Sequence, residues 1–280
     1  MGVQSSNRQY GWDVARQITN VVGAVFQALG GAFFVANLST EPVADEGAST
    51  LIDPAGYAFF VWAPILLLSL AYAIYQARPS RKEDSLLRLV GWPLAGAFVL
   101  AGLWEVAAPL GRLGAAQILI AGLLVLLATA YLRLARAGSR SGIRLSVADR
   151  WLIAPTVGIY FAWITAANAV SLTSLAARSG LVDGGGAGGA ALGTALLILG
   201  TIFACGALLA ARTGPRQILV AYAGTVLWAL MGIVANQYGA SALTTAVAAL
   251  CAVPVVVVLV GAARAPGSRS IGRGTAHRVS

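Results

Sequence analysis

Charge is what this sequence lacks most. Asp, Glu, Lys and Arg make up 10% of its 280 residues, against about 25% in a soluble globular domain. A chain this poor in charge cannot clothe a water-facing surface. Lys82 is the only lysine and lies in a basic stretch between apolar runs, which excludes a retinal Schiff base inside a helix bundle. His277, near the C-terminus, is the only histidine, so no His-based catalytic set or metal site can form within the apolar segments. Paired carboxylate motifs are missing too, and no enzymatic role is expected. The two cysteines, Cys205 and Cys251, both sit in apolar runs; their spacing gives neither a disulfide framework nor a metal motif, and packed small hydrophobes are expected. The glycine-rich stretch Ser179–Gly189 lacks the Gly-Lys-Ser/Thr of a phosphate loop. It is expected to be a flexible linker.

What is abundant is apolar residue, 58% of the chain, with a mean hydropathy of +0.79. It comes in long blocks rather than the two-residue alternation of a barrel strand. Only helices or closed barrels satisfy every backbone group in lipid, so the expected fold is an all-α, polytopic integral membrane bundle. A span needs roughly 20 apolar residues. Eight segments qualify, at 18–38, 54–76, 89–109, 113–134, 151–176, 189–211, 217–235 and 241–262. The first is longer than the roughly 7–15 apolar residues of a signal peptide, so it is expected to stay as an anchor. Gly111 and Arg112 leave room only for a tight hairpin between the third and fourth.

Charge of one sign then sets the orientation. With the N-terminus inside, Arg8 and Arg16, the group Arg78, Arg81, Lys82 and Arg88, the run from Arg133 to Arg150, Arg212 and Arg216, and the tail arginines all fall on one side. Only Arg112 and Arg178 fall on the other. The positive-inside rule thus predicts both termini in the cytoplasm, and it accounts for the formal charge of +9 without a nucleic-acid partner. The expected organisation is a cytoplasmic N-terminus (1–17), a five-helix bundle (18–176), a Gly-rich loop (177–188), three further helices (189–262) and a basic, disordered cytoplasmic tail (263–280). The expected location is the cell membrane, multi-pass, in a bacterial plasma membrane.

Seven tryptophans divide in two. Trp12, Trp92 and Trp151 stand at the cytoplasmic ends of spans, where an amphipathic ring suits the headgroup layer. Trp62, Trp104, Trp163 and Trp228 lie within spans, and Asn37, Asn168, Asn236 and Glu105 fall in the outer half or at its edge. Two readings stay open: lipid-facing or packed rings with Asn bonding between helices, or one aromatic-walled, sparsely polar pocket near the outer leaflet. Glu105 is likewise either solvated at the interface or a buried partner for a proton or ligand, since an intramembrane carboxyl is a functional candidate by default.

One stretch, Pro54-Ala-Gly-Tyr-Ala-Phe-Phe-Val-Trp62, follows Asp53, which is expected to cap the second helix with Pro54 as its first residue; Pro64 is expected to kink it. With Tyr72 and Tyr75 further along, this stretch resembles the second-helix signature of the translocator / tryptophan-rich sensory protein family. Trp151-Leu-Ile-Ala-Pro155 through Tyr160, Trp163 and Asn168 resembles that family's fifth helix. The resemblance covers residues 15–176, and longer, eight-helix relatives are the better comparison. It implies a five-helix bundle with an aromatic pocket for a porphyrin or another hydrophobic ligand. Tyr57, Trp62, Trp163 and Asn168 match the family's pocket positions, and Trp104 its third-helix tryptophan. The chain departs at Ala101, where the family has Asn, and at Glu105, where a small polar residue is usual. The expected partners are therefore the lipid bilayer, a hydrophobic small molecule and, in addition, a second copy in a homodimer. A receptor or carrier-like role leads; a proton-coupled transporter using Glu105 and a structural or accessory subunit are the alternatives.

Overall fold

The computed structural model describes residues 2–38, 50–140 and 142–264. The segment 39–49 with Glu41, Asp45 and Glu46, the side chain of Asn37, and the tail from residue 265 with His277 lie outside the described residues. Eight long helices carry the described chain: α1 (Gly2–Leu38), α2 (Trp62–Ala77), α3 (Ser85–Ala107), α4 (Leu113–Arg140), α5 (Ala154–Arg178), α6 (Ala187–Ala210), α7 (Arg216–Gln237) and α8 (Ala242–Arg264). A 3-10 turn, Gly56–Val61, leads into α2, and a π turn, Asp149–Ile153, leads into α5. Counted with these turns, eight helices are long and apolar enough to cross a membrane. This is an all-α, multi-pass membrane protein.

Where boundaries differ from the sequence reading, side chains explain it. Residues before 18 do not trail off; they continue α1 back to Gly2, and Asp13 and Arg16 are buried against the connection between α2 and α3. Arg16 Nη2 donates to the Lys82 carbonyl at 2.7 Å. Asp53 is not the cap of the second helix. Its carboxylate turns back and accepts from Thr50 N and Thr50 Oγ1, both at 2.7 Å, and the helical turn starts later, at Gly56. Pro64 falls in the first turn of α2, where a missing N–H breaks little helical bonding. Asp84 is a true cap: its side chain accepts from Leu86 N and Leu87 N at the start of α3. The α3–α4 hairpin closes as expected, with Gly111 at a φ of 68° that disfavours any residue with a Cβ. The GGGAGG run is no loose tether. Gly186 N and Gly189 N both donate to the Asp183 carbonyl, and the last glycines already belong to α6.

Helices α2, α1, α3, α4 and α5 pack in that order, and α2 meets α5 to close a ring. Helix α7 lies along α5, while α6 and α8 pack beside it. The connections carrying Arg78–Arg88, Arg133–Arg150 and Arg212–Arg216 all come to one end, called the basic end here; Arg133 Nη1 donates to Leu89 O across it. Trp12, Trp92 and Trp151 sit exposed at that end, as headgroup-level rings do. Cys251 is buried, Cys205 is half-buried, and both are free thiols.

Candidate functional site

At the opposite end the ring is hollow. A cavity of about 310 Å³ opens between α1, the 3-10 turn, α2, α3, α4, α5 and α7. That is the lower end of the range for small-molecule sites, roughly 300–1,000 Å³. Trp62, Trp104 and Trp163 line it, with Phe34, Phe59, Ala167 and Val170. The rings are arranged as a connected series. Trp62 stacks on Trp104 at 6.0 Å between centroids and 18° between planes, and Trp104 also stacks with Phe34 at 5.5 Å. Trp62 meets Tyr160 edge-on at 6.1 Å, and Trp163 meets Phe59 edge-on at 5.6 Å. Such pairs contribute about 0.5–1.5 kcal/mol beyond burial, so the walls hold their shape while leaving the space between them.

The spacing of the sequence explains which rings converge. Trp62 opens α2 immediately after the 3-10 turn, so Phe59 and Trp62, three residues apart, both reach the cavity. Trp163 and Ala166, Ala167 and Val170 follow at helical spacing along one face of α5.

One wall comes from beyond the five-helix ring. Ala229 and Ile233 of α7 line the cavity, and α7 grips the segment that leads into α2. Trp228 Nε1 donates to Ala58 O at 2.9 Å, Asn236 Nδ2 to Asp53 O at 3.0 Å, and Ala55 N to Gly232 O at 2.9 Å. A Cβ on Gly232 would sit 2.8 Å from that of Ala58, so glycine is what allows this approach. Burial pushes the Asp53 carboxyl above the ordinary carboxylate range, against the Thr50 hydrogen bonds and the charge of Arg178, which pull it down.

The other sequence candidates lie outside the cavity lining. Tyr57 packs edge-on against Trp228 at 5.4 Å and is 38% exposed. Asn168 ties α5 to α4: Nδ2 donates to Ile120 O and to its own helix at Ile164 O, and Oδ1 accepts from Gln117. Glu105 faces α1 instead of the cavity, one residue beyond Trp104. It is 2% exposed, which removes the interface-solvated reading, and neither carboxyl oxygen has a hydrogen-bond partner among the described residues. A Cβ on Gly30 would lie 2.7 Å from Glu105 Oε2, so glycine on α1 makes the room for this side chain. The Tyr160 hydroxyl is within electrostatic reach of Glu105 and is itself unpartnered, as are both amide atoms of Gln27 and Nε1 of Trp104. No group of three or more His, Cys, Asp or Glu able to hold a metal occurs among the described residues.

Among the lining contributions missed from sequence are Ala229 and Ile233 of α7, a helix on which only Trp228 and Asn236 had been singled out, and Arg178. Arg178 did carry a signal, as one of two basic residues on the sparsely charged side.

The model of the TSPO-like protein family matches residues 14–262, a stretch that runs through all eight helices. The chain belongs to the TSPO-like family. Comparison with curated proteins and with solved structures gives no match. Family membership thus extends over the α6–α8 layer as well as the ring, in keeping with α7 as a wall of the TSPO-like cavity.

Proposed function

We propose that this TSPO-like protein is a receptor or carrier-like protein of the bacterial plasma membrane, with both termini in the cytoplasm. Its ligand is a flat hydrophobic molecule of the tetrapyrrole kind, held in the aromatic cavity at the end away from the basic loops. The observation that carries the reading is the meeting of Trp62, Trp104 and Trp163 around one cavity of about 310 Å³. An apolar, aromatic lining with few polar groups suits such a ligand, and the rings offer it stacking faces. The test is quenching of intrinsic Trp fluorescence by protoporphyrin IX in lipid nanodiscs. Saturable quenching is expected, and its affinity should fall in a Trp62→Ala/Trp163→Ala double mutant; equal affinity in both proteins would sink the reading.

A second reading has its own observation. Glu105 is a buried carboxyl with no hydrogen-bond partner among the described residues, and unpartnered ionisable groups within a span are commonly where protons or polar guests are handled. Under this reading the protein is a proton-coupled transporter. Uptake into proteoliposomes that requires a pH gradient and disappears in Glu105→Gln would favour it, and gradient-independent uptake would remove it.

A further inference from the structure

The cavity changes character along α5. Trp163, Ala166, Ala167 and Val170 make one part of its wall apolar, whereas Ser171, Ser174 and Arg178 line the part at the helix end. The last three are spaced by three and four residues and so share a face of the helix. From Trp163 to Arg178 the helix rises about 22 Å, so one continuous strip leads from tryptophan to guanidinium.

Among the described residues, Arg178 is the only charged one in the lining. It makes no ion pair with the described residues, and no hydrogen bond to them involves its side chain. The acid whose charge reaches it is Asp53, but both Asp53 oxygens already accept from Thr50. The Ser171 and Ser174 hydroxyls line the same part of the cavity and make no side-chain hydrogen bond to the described residues. Three donors therefore stand in line at the exposed end of an apolar space, with no acceptor among the described residues. A guanidinium binds carboxylate or phosphate oxygens in pairs and is weakly hydrated, which suits it to a half-wet site.

We propose that Ser171, Ser174 and Arg178 form the anion-accepting mouth of the cavity, so that its ligand is an elongated, flat hydrophobe bearing a carboxylate or comparable anionic group at one end. This inference rests on the ligand-binding reading above and narrows it. The apolar part supplies affinity without orientation; the mouth fixes which end enters first and leaves the charged group at the membrane boundary. The same chemistry is offered by the anionic headgroup of a lipid lying across the mouth.

The experiment compares protoporphyrin IX with its dimethyl ester, which keeps the ring and loses both charges. Wild type, Arg178→Gln and Ser171→Ala/Ser174→Ala are placed in phosphatidylcholine nanodiscs and titrated by Trp quenching. Wild type is expected to hold the acid about tenfold more tightly than the ester. Arg178→Gln should bind both with the ester's affinity, and the serine variant should lose a smaller part of the preference. The preference should also shrink as salt is raised, because the guanidinium is solvent-exposed. Equal affinity for acid and ester in wild type, or an undiminished preference in Arg178→Gln, overturns the proposal while leaving the cavity reading in place. Absence of quenching by either probe removes the cavity reading itself. Replacing part of the lipid by phosphatidylglycerol separates the two sources of the anion. Acid binding weakened in wild type and unchanged in Arg178→Gln assigns the mouth to a lipid headgroup; equal weakening in both assigns it to the free acid.

Discussion

The two ends of the α1–α3 pair are built on opposite plans. At the basic end, many buried polar groups find one another, although Arg16 Nε and Nη1, Asn20 Oδ1 and Gln76 Oε1 keep no hydrogen-bond partner among the described residues. Asp13 accepts from Arg88 through both carboxylate oxygens, Asn20 reaches the Gly91 carbonyl at 3.0 Å, and Gln17 and Gln76 exchange side-chain-to-backbone bonds of 2.6 and 3.0 Å. At the cavity end the same two helices bring Gly30 against Glu105 and leave both carboxyl oxygens unpartnered. In a low-dielectric interior an unsatisfied polar group is costly and a satisfied one rigidifies. The lesson is a contrast within one helix pair: the basic end is tied together by side-chain bonds, and the other end keeps a buried carboxyl with no hydrogen-bond partner among the described residues.

That contrast can be broken from either side. The largest effect is expected for Asp13→Ala, which leaves buried Arg16 without its nearest acid, 4.0 Å away, and frees Arg88. Thermal unfolding should report a loss of about 3 kcal/mol, with protoporphyrin quenching per folded molecule unchanged. Gly30→Val comes next. Its side chain has no room between Glu105 and the Gly102 carbonyl, 3.1 Å from the first added atom, and overpacking of this kind costs about 2 kcal/mol. Because it forces α1 from α3 beside Trp104, it should lower both melting temperature and probe affinity. Asn168→Leu, which removes the link between α4 and α5, should cost about 1 kcal/mol and leave quenching nearly intact; a change in affinity larger than the change in stability would place Asn168 in the binding site after all. The smallest stability change, about 0.6 kcal/mol, is expected for Trp228→Phe, which deletes the bond to Ala58 O. Here the order reverses, since the segment bearing Phe59 is loosened: probe affinity should shift more than the melt.

Much of the frame was legible before any coordinates. Long apolar blocks have one backbone solution in lipid, so eight spans and the gathering of the basic loops followed from the sequence. The α1 start did not, because residues 8–17 look polar enough for solvent until Lys82 and Arg88 arrive from 66 and 75 positions away to pair with them. Asp53 misled for a local reason: Asp before Pro reads as a helix cap, yet its carboxylate bonds backward to Thr50. Among the cavity-lining side chains, Trp62, Trp104 and Trp163 were picked out in the sequence by type and depth. Glu105 and Asn168 were at the correct level along their helices but on other faces, and a helix face is set by packing partners that no short motif encodes.

Sequence alone determined the solvent and the number of crossings, because hydrophobic length and charge bias act residue by residue and need no neighbours. Tertiary structure decided everything that depends on rotation about a helix axis. It turned Trp104 toward the cavity and Glu105, the next residue, toward Gly30; it brought α7 in as a wall and left Arg178 at the mouth. Two adjacent side chains on a helix point about 100° apart, and only close packing of small residues against large ones fixes which of them meets the space.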